Sequence, residues 1–162
     1  PHNAGTTQVP LWRGELPSFG YNYTIYDSET MDATVEQPSA RTKACLSCHD
    51  GTVALDSFGS NTGATFMTGG NLLGTDLSND HPISFTYDTA LATADGGLYD
   101  PTLQTVSSLD GKTVDTGLLI GHKLECGSCH DVHRNKGDSP VIYHLLIVNN
   151  TQSALCLTCH KK

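Results

Sequence analysis

Positively charged residues are scarce in this chain of 162 residues. Lysine and arginine together number 9 against 17 aspartates and glutamates, so the formal net charge is −8 at pH 7. The few cations are spread along the sequence and form no cluster. Because nucleic acids and anionic membranes are bound through concentrated positive charge, the sequence argues against both as partners.

Long apolar stretches are also lacking. The apolar run at 145–148 is far shorter than the roughly 20 residues that a membrane-spanning helix needs. Hydrophobic residues make up 37% of the chain and aromatic residues only 7%, whereas glycine numbers 16 and proline 7. These proportions predict no membrane span, many turns and a weak core of side chains.

No cysteine stands outside one repeated motif, C-x-x-C-H, so none is left for a disulfide or a free thiol. In this motif the two thiols form thioethers with the vinyl groups of haem c, and the adjacent histidine binds the iron. Each copy therefore predicts one covalent haem c, and the chain should carry three. The copies are Cys45, Cys48 and His49; Cys126, Cys129 and His130; and Cys156, Cys159 and His160.

Two other kinds of site use paired cysteines. Two C-x-x-C pairs can form a four-cysteine zinc site, and one pair can act as a redox-active dithiol. Neither explains why histidine follows the second cysteine in every copy, and zinc would leave the third pair without a role. Haem attachment is the interpretation that accounts for every cysteine.

Three haem groups change the expected fold, because their large apolar faces replace side chains as buried material. The sequence predicts a single multihaem domain over residues 1–162 that is mostly irregular, with a few short helices and at most short β-hairpins. Local signals predict helices at 40–49 and 87–94 and a helix after Ser153, a tight turn at Asp110 between short strands in 106–114, and a strand at 141–148.

Five histidines remain after the three proximal ligands. With only Met31 and Met67 as alternative thioether ligands, this surplus favours bis-histidine haems. Such haems transfer electrons with little rearrangement and leave no position for a substrate, so we expect no enzyme activity. We interpret His144, which lies in an apolar run, as a packing residue. The distal ligands predicted from these residues are His81, His122 and His133.

The spacing around the second motif constrains which haem each ligand serves. His133 follows His130 by three residues, which span at most about 10 Å even when fully extended. Because the two axial ligands of one iron lie on opposite porphyrin faces, His133 should bind the iron of a neighbouring haem. His122, eight residues before His130, should also serve another haem. Two haems would then lie nearly in contact.

Four blocks of sequence resemble the doubled-CxxCH multihaem cytochromes. They are C-L-S-C-H-D-G-T-V-A at 45–54, D-L-S-N-D-H-P-I-S-F-T-Y-D at 76–88, E-C-G-S-C-H-D-V-H at 125–133 and A-L-C-L-T-C-H at 154–160. Within that group the chain is similar to the tetrahaem cytochromes that metal-reducing bacteria secrete and polymerise into extracellular filaments, the cytochrome nanowires.

This resemblance implies electron conduction through closely stacked haems in a homopolymeric filament at the cell surface or outside the cell. Subunits of such filaments are held together partly by a histidine that binds a haem across the interface, and His2 is a candidate for that role. The filament would pass electrons to redox partners or extracellular acceptors. A soluble periplasmic shuttle is the alternative, although such shuttles often carry a collar of lysines that this chain lacks.

The resemblance also implies an upstream segment. In the related cytochromes the P-H-N sequence that matches Pro1 to Asn3 directly follows another C-x-x-C-H motif, so a fourth haem is expected just before this chain. The resemblance thereby implies that His2 is a fourth distal ligand, placed after a proximal histidine as His133 is. The sequence also starts without an initiator methionine or a signal peptide, which indicates a processed or incomplete product. Because thioether attachment of haem takes place outside the cytoplasm, we expect an exported protein.

Overall fold

The computed structural model describes residues 22–57, 62–133 and 145–161. Most of this part of the chain is irregular, as the sequence predicts, and its regular elements are short. The helices are α1 (Ala40–His49), α2 (Thr89–Asp95), α3 (Val114–Gly117), α4 (Cys126–Cys129) and α5 (Ala154–Leu157), the strands are β1 (Phe85–Thr86) and β2 (Lys123–Leu124), and 3₁₀ turns lie at Gly69–Asn71 and Thr151–Ser153.

The helix α1 has the bounds that the sequence predicts. It begins after Ser39, whose side-chain oxygen accepts a hydrogen bond from the backbone N–H of Thr42 at 3.4 Å. It ends where the N–H of Asp50 bonds the carbonyl of Leu46 and Gly51 takes a positive φ of 75°. The first C-x-x-C-H motif therefore occupies the last turn of the longest helix in the described residues.

The chain forms two compact units. The first comprises Pro1–Asp27 and Val35–Ser84, and the second comprises Ser28–Thr34 and Phe85–Lys162. The prediction of a single domain stays a prediction. In the first unit a small cluster of buried side chains forms the core, and it packs against partly buried isoleucines. Its members are Tyr23, Leu46 and Leu77, with Ile25 and Ile83 beside them.

The second unit contains a two-stranded antiparallel sheet, in which Phe85 pairs with Leu124 and Thr86 with Lys123. Beyond the sheet the N–H of Tyr87 bonds the carbonyl of His122 at 2.9 Å. Because Tyr87 continues the strand pairing, α2 starts two residues later than predicted, after Asp88 accepts a bond from Leu91 N–H at 2.8 Å. It ends, as predicted, at Gly96, which is left-handed with φ 71°.

The hairpin predicted in 106–114 is only a turn. Asp110 and Gly111 both have positive φ, 47° and 78°, as a tight turn requires. The flanking residues form one isolated bridge, Thr105 with Thr113, and no strands in this described segment. The reason is that Thr113 caps α3 by accepting a bond from Thr116 N–H, so a helix replaces the second strand.

The prediction at 141–148 falls partly outside the described residues, which resume at Leu145. Instead of a continuous strand, Leu146 forms an isolated bridge with His130. Ser153 precedes α5 as predicted, but its side chain makes no capping bond, because its backbone is left-handed (φ 62°) rather than extended. In the described ranges no helix has both the length and the apolar character that crossing a membrane requires.

Candidate haem-binding sites

All three C-x-x-C-H motifs lie in helical turns. The first ends α1, the second coincides with α4, and the third begins in α5. In the second motif His130 N–H bonds the carbonyl of Cys126 at 3.0 Å, and in the third His160 N–H bonds the carbonyl of Cys156 at 2.9 Å. Residues three apart in a helix share a face, so each pair of thiols faces the same side, as attachment to one porphyrin requires.

The ring of His49 is held by the loop that follows the first motif. Its Nδ1 lies 2.8 Å from the carbonyl oxygen of Asn71. A carbonyl only accepts, so Nδ1 carries the proton and Nε2 carries the lone pair that binds a metal. The carbonyl of His49 also accepts a bond from Leu73 N–H at 2.7 Å. This loop fixes both the tautomer and the position of a proximal ligand.

The second motif is positioned by bonds on both sides of α4. Before the helix, Glu125 N–H donates to the side-chain oxygen of Ser128 at 2.9 Å, and both residues are buried. After it, Asp131 N–H donates to the carbonyl of Leu145 at 2.8 Å, beside the bridge formed by His130. These bonds place His130 at a fixed point next to an apolar segment.

The third motif is anchored to the segment after α2. His160 forms a bridge with Leu98, and the carbonyl of Cys159 accepts a bond from Tyr99 N–H at 2.8 Å. The hydroxyl of Tyr87 donates to the carbonyl of Tyr99 at 2.6 Å. Burial, and then the nearby Cys159, raise the pKa of Tyr87, so its hydroxyl stays protonated and can donate this bond.

The second and third motifs both belong to the second unit, and the N–H of Ile147, nine residues before Cys156, donates to the carbonyl of Cys129 at 2.8 Å. Burial, followed by the proximity of Cys156, raises the pKa of the Cys129 thiol. Burial, followed by Cys129 and Cys156, raises the pKa of Cys159 to about 12. The influence of Cys156 on Cys129, and of both on Cys159, agrees with attachment points that lie near each other in the second unit.

Exposed apolar side chains lie next to the motifs, as expected at sites that bind a haem. Leu73 bonds the backbone of His49, Leu145 bonds that of Asp131, and Leu157 lies inside the third motif. A porphyrin face attached at each motif would cover such surface, which small proteins otherwise tend to bury. The residues fit haem c. In the part of the chain that the structure describes, the exposed large apolar side chains are Leu55, Phe66, Leu72, Leu73, Leu103, Val132, Leu145 and Leu157.

Among the predicted distal ligands, His81 is exposed beside a shallow apolar cleft in the first unit. Its Nδ1 lies 3.0 Å from the carbonyl oxygen of Pro82. The Nδ1 proton therefore points to a backbone acceptor, as it does in His49, and Nε2 has the lone pair. The cleft is lined partly by Ile25, Val35 and Leu77.

His122 is held by a carboxylate. Its Nδ1 lies 2.7 Å from Oδ1 of Asp115, and its side chain is 72% exposed whereas that of Asp115 is 16% exposed. The backbone of His122 is left-handed (φ 64°), an uncommon conformation for a residue with a side chain, and follows Gly121 at φ 60°. Asp115 was not predicted as a partner of His122, since it stands seven positions earlier in the sequence and belongs to no motif with it.

His133 is exposed, and its backbone N–H donates to the carboxylate of Asp131 at 2.9 Å. An aspartate also follows the first motif, where Oδ1 of Asp50 accepts from Thr52 N–H at 2.7 Å. The sequence C-H-D occurs at both motifs, and this repeat could have predicted that Asp131 positions His133. His2 and His144 lie outside the described residues.

Within residues 22–57, 62–133 and 145–161, no three His, Cys, Asp or Glu side chains converge as a metal site. A four-cysteine zinc site therefore has no ligand set there. The six cysteines, all of which the structure describes, form no disulfide. The structure brings the second and third motifs together but joins none of the described distal candidates to a proximal histidine. Those pairings stay predictions.

The family described as "Doubled CXXCH motif" matches residues 121–162, which contain the second and third motifs. No curated protein matches the sequence significantly. The family match, the helical turns and the Nδ1 bonds support a multihaem c-type cytochrome. The motifs indicate covalent attachment of haem c and a role in electron transfer, and cytochromes with haem c are exported proteins.

Proposed function

We propose that this protein conducts electrons through three closely spaced bis-histidine haem c groups as the subunit of an extracellular filament. Haem c, when bound, supplies the one-electron chemistry of iron. The chain supplies the attachment, the axial nitrogens and the spacing. It has no catalytic role in this proposal.

The observation that carries the proposal is the adjacency of the second and third motifs. The N–H of Ile147, in the segment that leads to the third motif, donates to the carbonyl of Cys129 at 2.8 Å, and Cys129 raises the pKa of the half-buried Cys159 thiol. Cofactors anchored at neighbouring points can exchange electrons directly, without a diffusing carrier. A catalytic cofactor would instead need an open position beside a substrate pocket.

The described histidines support bis-histidine ligation. His49, His81 and His122 each have Nδ1 bonded to an oxygen atom, which leaves Nε2 as the ligand nitrogen. We expect every haem in the purified protein to be low-spin in both oxidation states. Binding of carbon monoxide to the native reduced protein would instead reveal an open axial position and favour an enzyme or a gas sensor.

Filament formation is supported by the four sequence blocks that resemble the secreted polymerising cytochromes. Polymerisation would extend a chain of haems beyond the length of one subunit, which a lone molecule cannot do. The same resemblance supports a location at the cell surface or outside the cell. The proposed partners are therefore further copies of this chain and an electron acceptor outside the cell.

Electron microscopy of the natively purified holoprotein tests the proposal. We expect filaments of uniform width whose absorption spectrum is that of low-spin haem c. Single particles of one subunit, at concentrations matching those of the secreted protein, would contradict the filament and favour the periplasmic shuttle. In that case the proposed haem content would stand, because it depends on the motifs and not on assembly.

A further inference from the structure

We infer that Asp115 is a positioning residue for His122, and that its negative charge lowers the reduction potential of the haem iron that His122 binds. The inference rests on the proposed function, in which His122 is a distal ligand. Asp115 lies outside the C-x-x-C-H motifs and would give one haem a reduction potential different from that of the others.

The geometry favours a strong hydrogen bond. Nδ1 of His122 and Oδ1 of Asp115 are 2.7 Å apart, within the range of charge-assisted bonds. Asp115 is 16% exposed, so water screens the bond less than it would on an open surface. The ring of His122 is 72% exposed, and Nε2 is on the side of the ring away from Nδ1.

Both partners are held by their backbones. Asp115 lies in the first turn of α3, which Thr113 caps and in which Val114 is fully buried. His122 has a left-handed backbone, and its carbonyl accepts the bond from Tyr87 N–H at the end of β1. A residue held in such a strained conformation indicates that the surroundings specify its position.

The acceptor distinguishes His122 from the other histidines whose Nδ1 bonds are described. His49 and His81 donate to the backbone carbonyls of Asn71 and Pro82, which carry no net charge. A carboxylate draws the Nδ1 proton more strongly and makes the imidazole a more basic ligand. A more basic ligand stabilises ferric over ferrous iron, so this haem should be harder to reduce.

Redox titration of the holoprotein, followed by haem absorbance, tests the inference with the variant Asp115→Asn. Asparagine keeps the size of the side chain and an oxygen that can accept the bond, but it removes the charge. We expect the equilibrium constant for reducing one haem to rise about tenfold, which corresponds to about 59 mV for one electron. Haem content and low-spin spectra should not change.

Three companion variants make the result interpretable. Asp115→Glu retains a carboxylate and should stay close to the original potential. Asp110→Asn removes one charge from the same segment at an exposed left-handed position that asparagine tolerates, and it should shift no potential by a comparable amount. His122→Ala should convert one haem to high spin and so identify the haem concerned.

Each contrary result has a distinct meaning. Unchanged potentials in Asp115→Asn, an equal shift in Asp110→Asn, or low-spin spectra for every haem in His122→Ala would overturn the inference. In the first two cases the proposed function would stand. Asp115→Asn could instead lose the low-spin signal of one haem while Asp115→Glu keeps it. This result would show that the carboxylate is needed for ligation itself, and it would overturn a role confined to the reduction potential. A purified protein without haem would overturn both proposals.

Discussion

At the scale of single residues, the oxygen atoms that accept the Nδ1 protons of histidines decide which nitrogen can bind iron. His49 and His81 use backbone carbonyls, so no side-chain substitution can remove their acceptors. His122 uses Asp115, which a substitution can change. Asp115 therefore has an influence on His122 that His49 and His81 receive from backbone carbonyls.

His133 gives a residue-scale prediction. Three residues separate it from His130, too few to span the two faces of one porphyrin, and Asp131 fixes its backbone N–H at 2.9 Å. We therefore expect His133→Ala to leave the haem at Cys126 and Cys129 bis-histidine and to convert a different haem to high spin. Electron paramagnetic resonance of the oxidised holoprotein, with spectra assigned to individual haems, would measure this.

The matched control for that variant is His144→Ala. We interpret His144 as a packing residue, so its removal should leave all haems low-spin. High spin at the Cys126 and Cys129 haem in His133→Ala, or no spectral change, would contradict the expected ligation across haems. Haem content should stay the same in both variants, because the thioether bonds are not altered.

Site residues could be predicted from the sequence only when their partners are close along the chain. The cysteines and proximal histidines were predicted from a contiguous motif, and all three copies lie in helical turns. Asp115 could not be found, because its contact with His122 depends on the left-handed backbone at Gly121 and His122. Sequence patterns identify ligands that are neighbours along the chain better than partners that a turn brings together.

At the scale of elements, the local capping signals were sufficient for the longer helices. The helix α1 lies between Ser39 and Gly51, and α2 lies between Asp88 and Gly96, so each of these residues is within two positions of a helix end. The pair β1 and β2 was not predicted, because strands of two residues carry no alternating pattern. The hairpin prediction at 106–114 was wrong because the capping interaction at Thr113 competed with it.

Gly51 provides a test of the loop that holds the first proximal histidine. Its φ is 75°, and an added Cβ would lie 2.8 Å from Cδ1 of Leu72. Gly51→Ala should lower the free energy of unfolding by more than the roughly 1–2 kcal/mol expected from left-handed strain alone. Gly74→Ala is the control, since its φ is 79° and nothing lies within 4 Å of the added atom.

Denaturant titration of both holoprotein variants measures this difference. Equal losses of stability would mean that Leu72 moves aside at little cost, and that the loop at Gly69–Asn71 does not press against the end of α1. A larger loss in Gly51→Ala, together with a changed His49 haem spectrum, would confirm that this loop supports the ligand.

At the scale of the whole molecule, the chain has too few apolar side chains to bury itself and leaves several of them exposed beside its motifs. Covalent haem explains both properties, because each porphyrin replaces missing core and covers apolar surface. Such a fold is largely irregular since its order comes from thioether and iron bonds instead of long helices or sheets. Composition could predict this class of fold, but not the division into two compact units.

The central claim is that every cysteine holds a haem, and intact-mass spectrometry of the purified protein tests it most directly. We expect a chain carrying three covalent haems, with one on each peptide that contains Cys45, Cys126 or Cys156. We also expect no thiol that reacts with iodoacetamide. A mass with zinc and no haem, or fewer haems together with reactive thiols, would contradict the account.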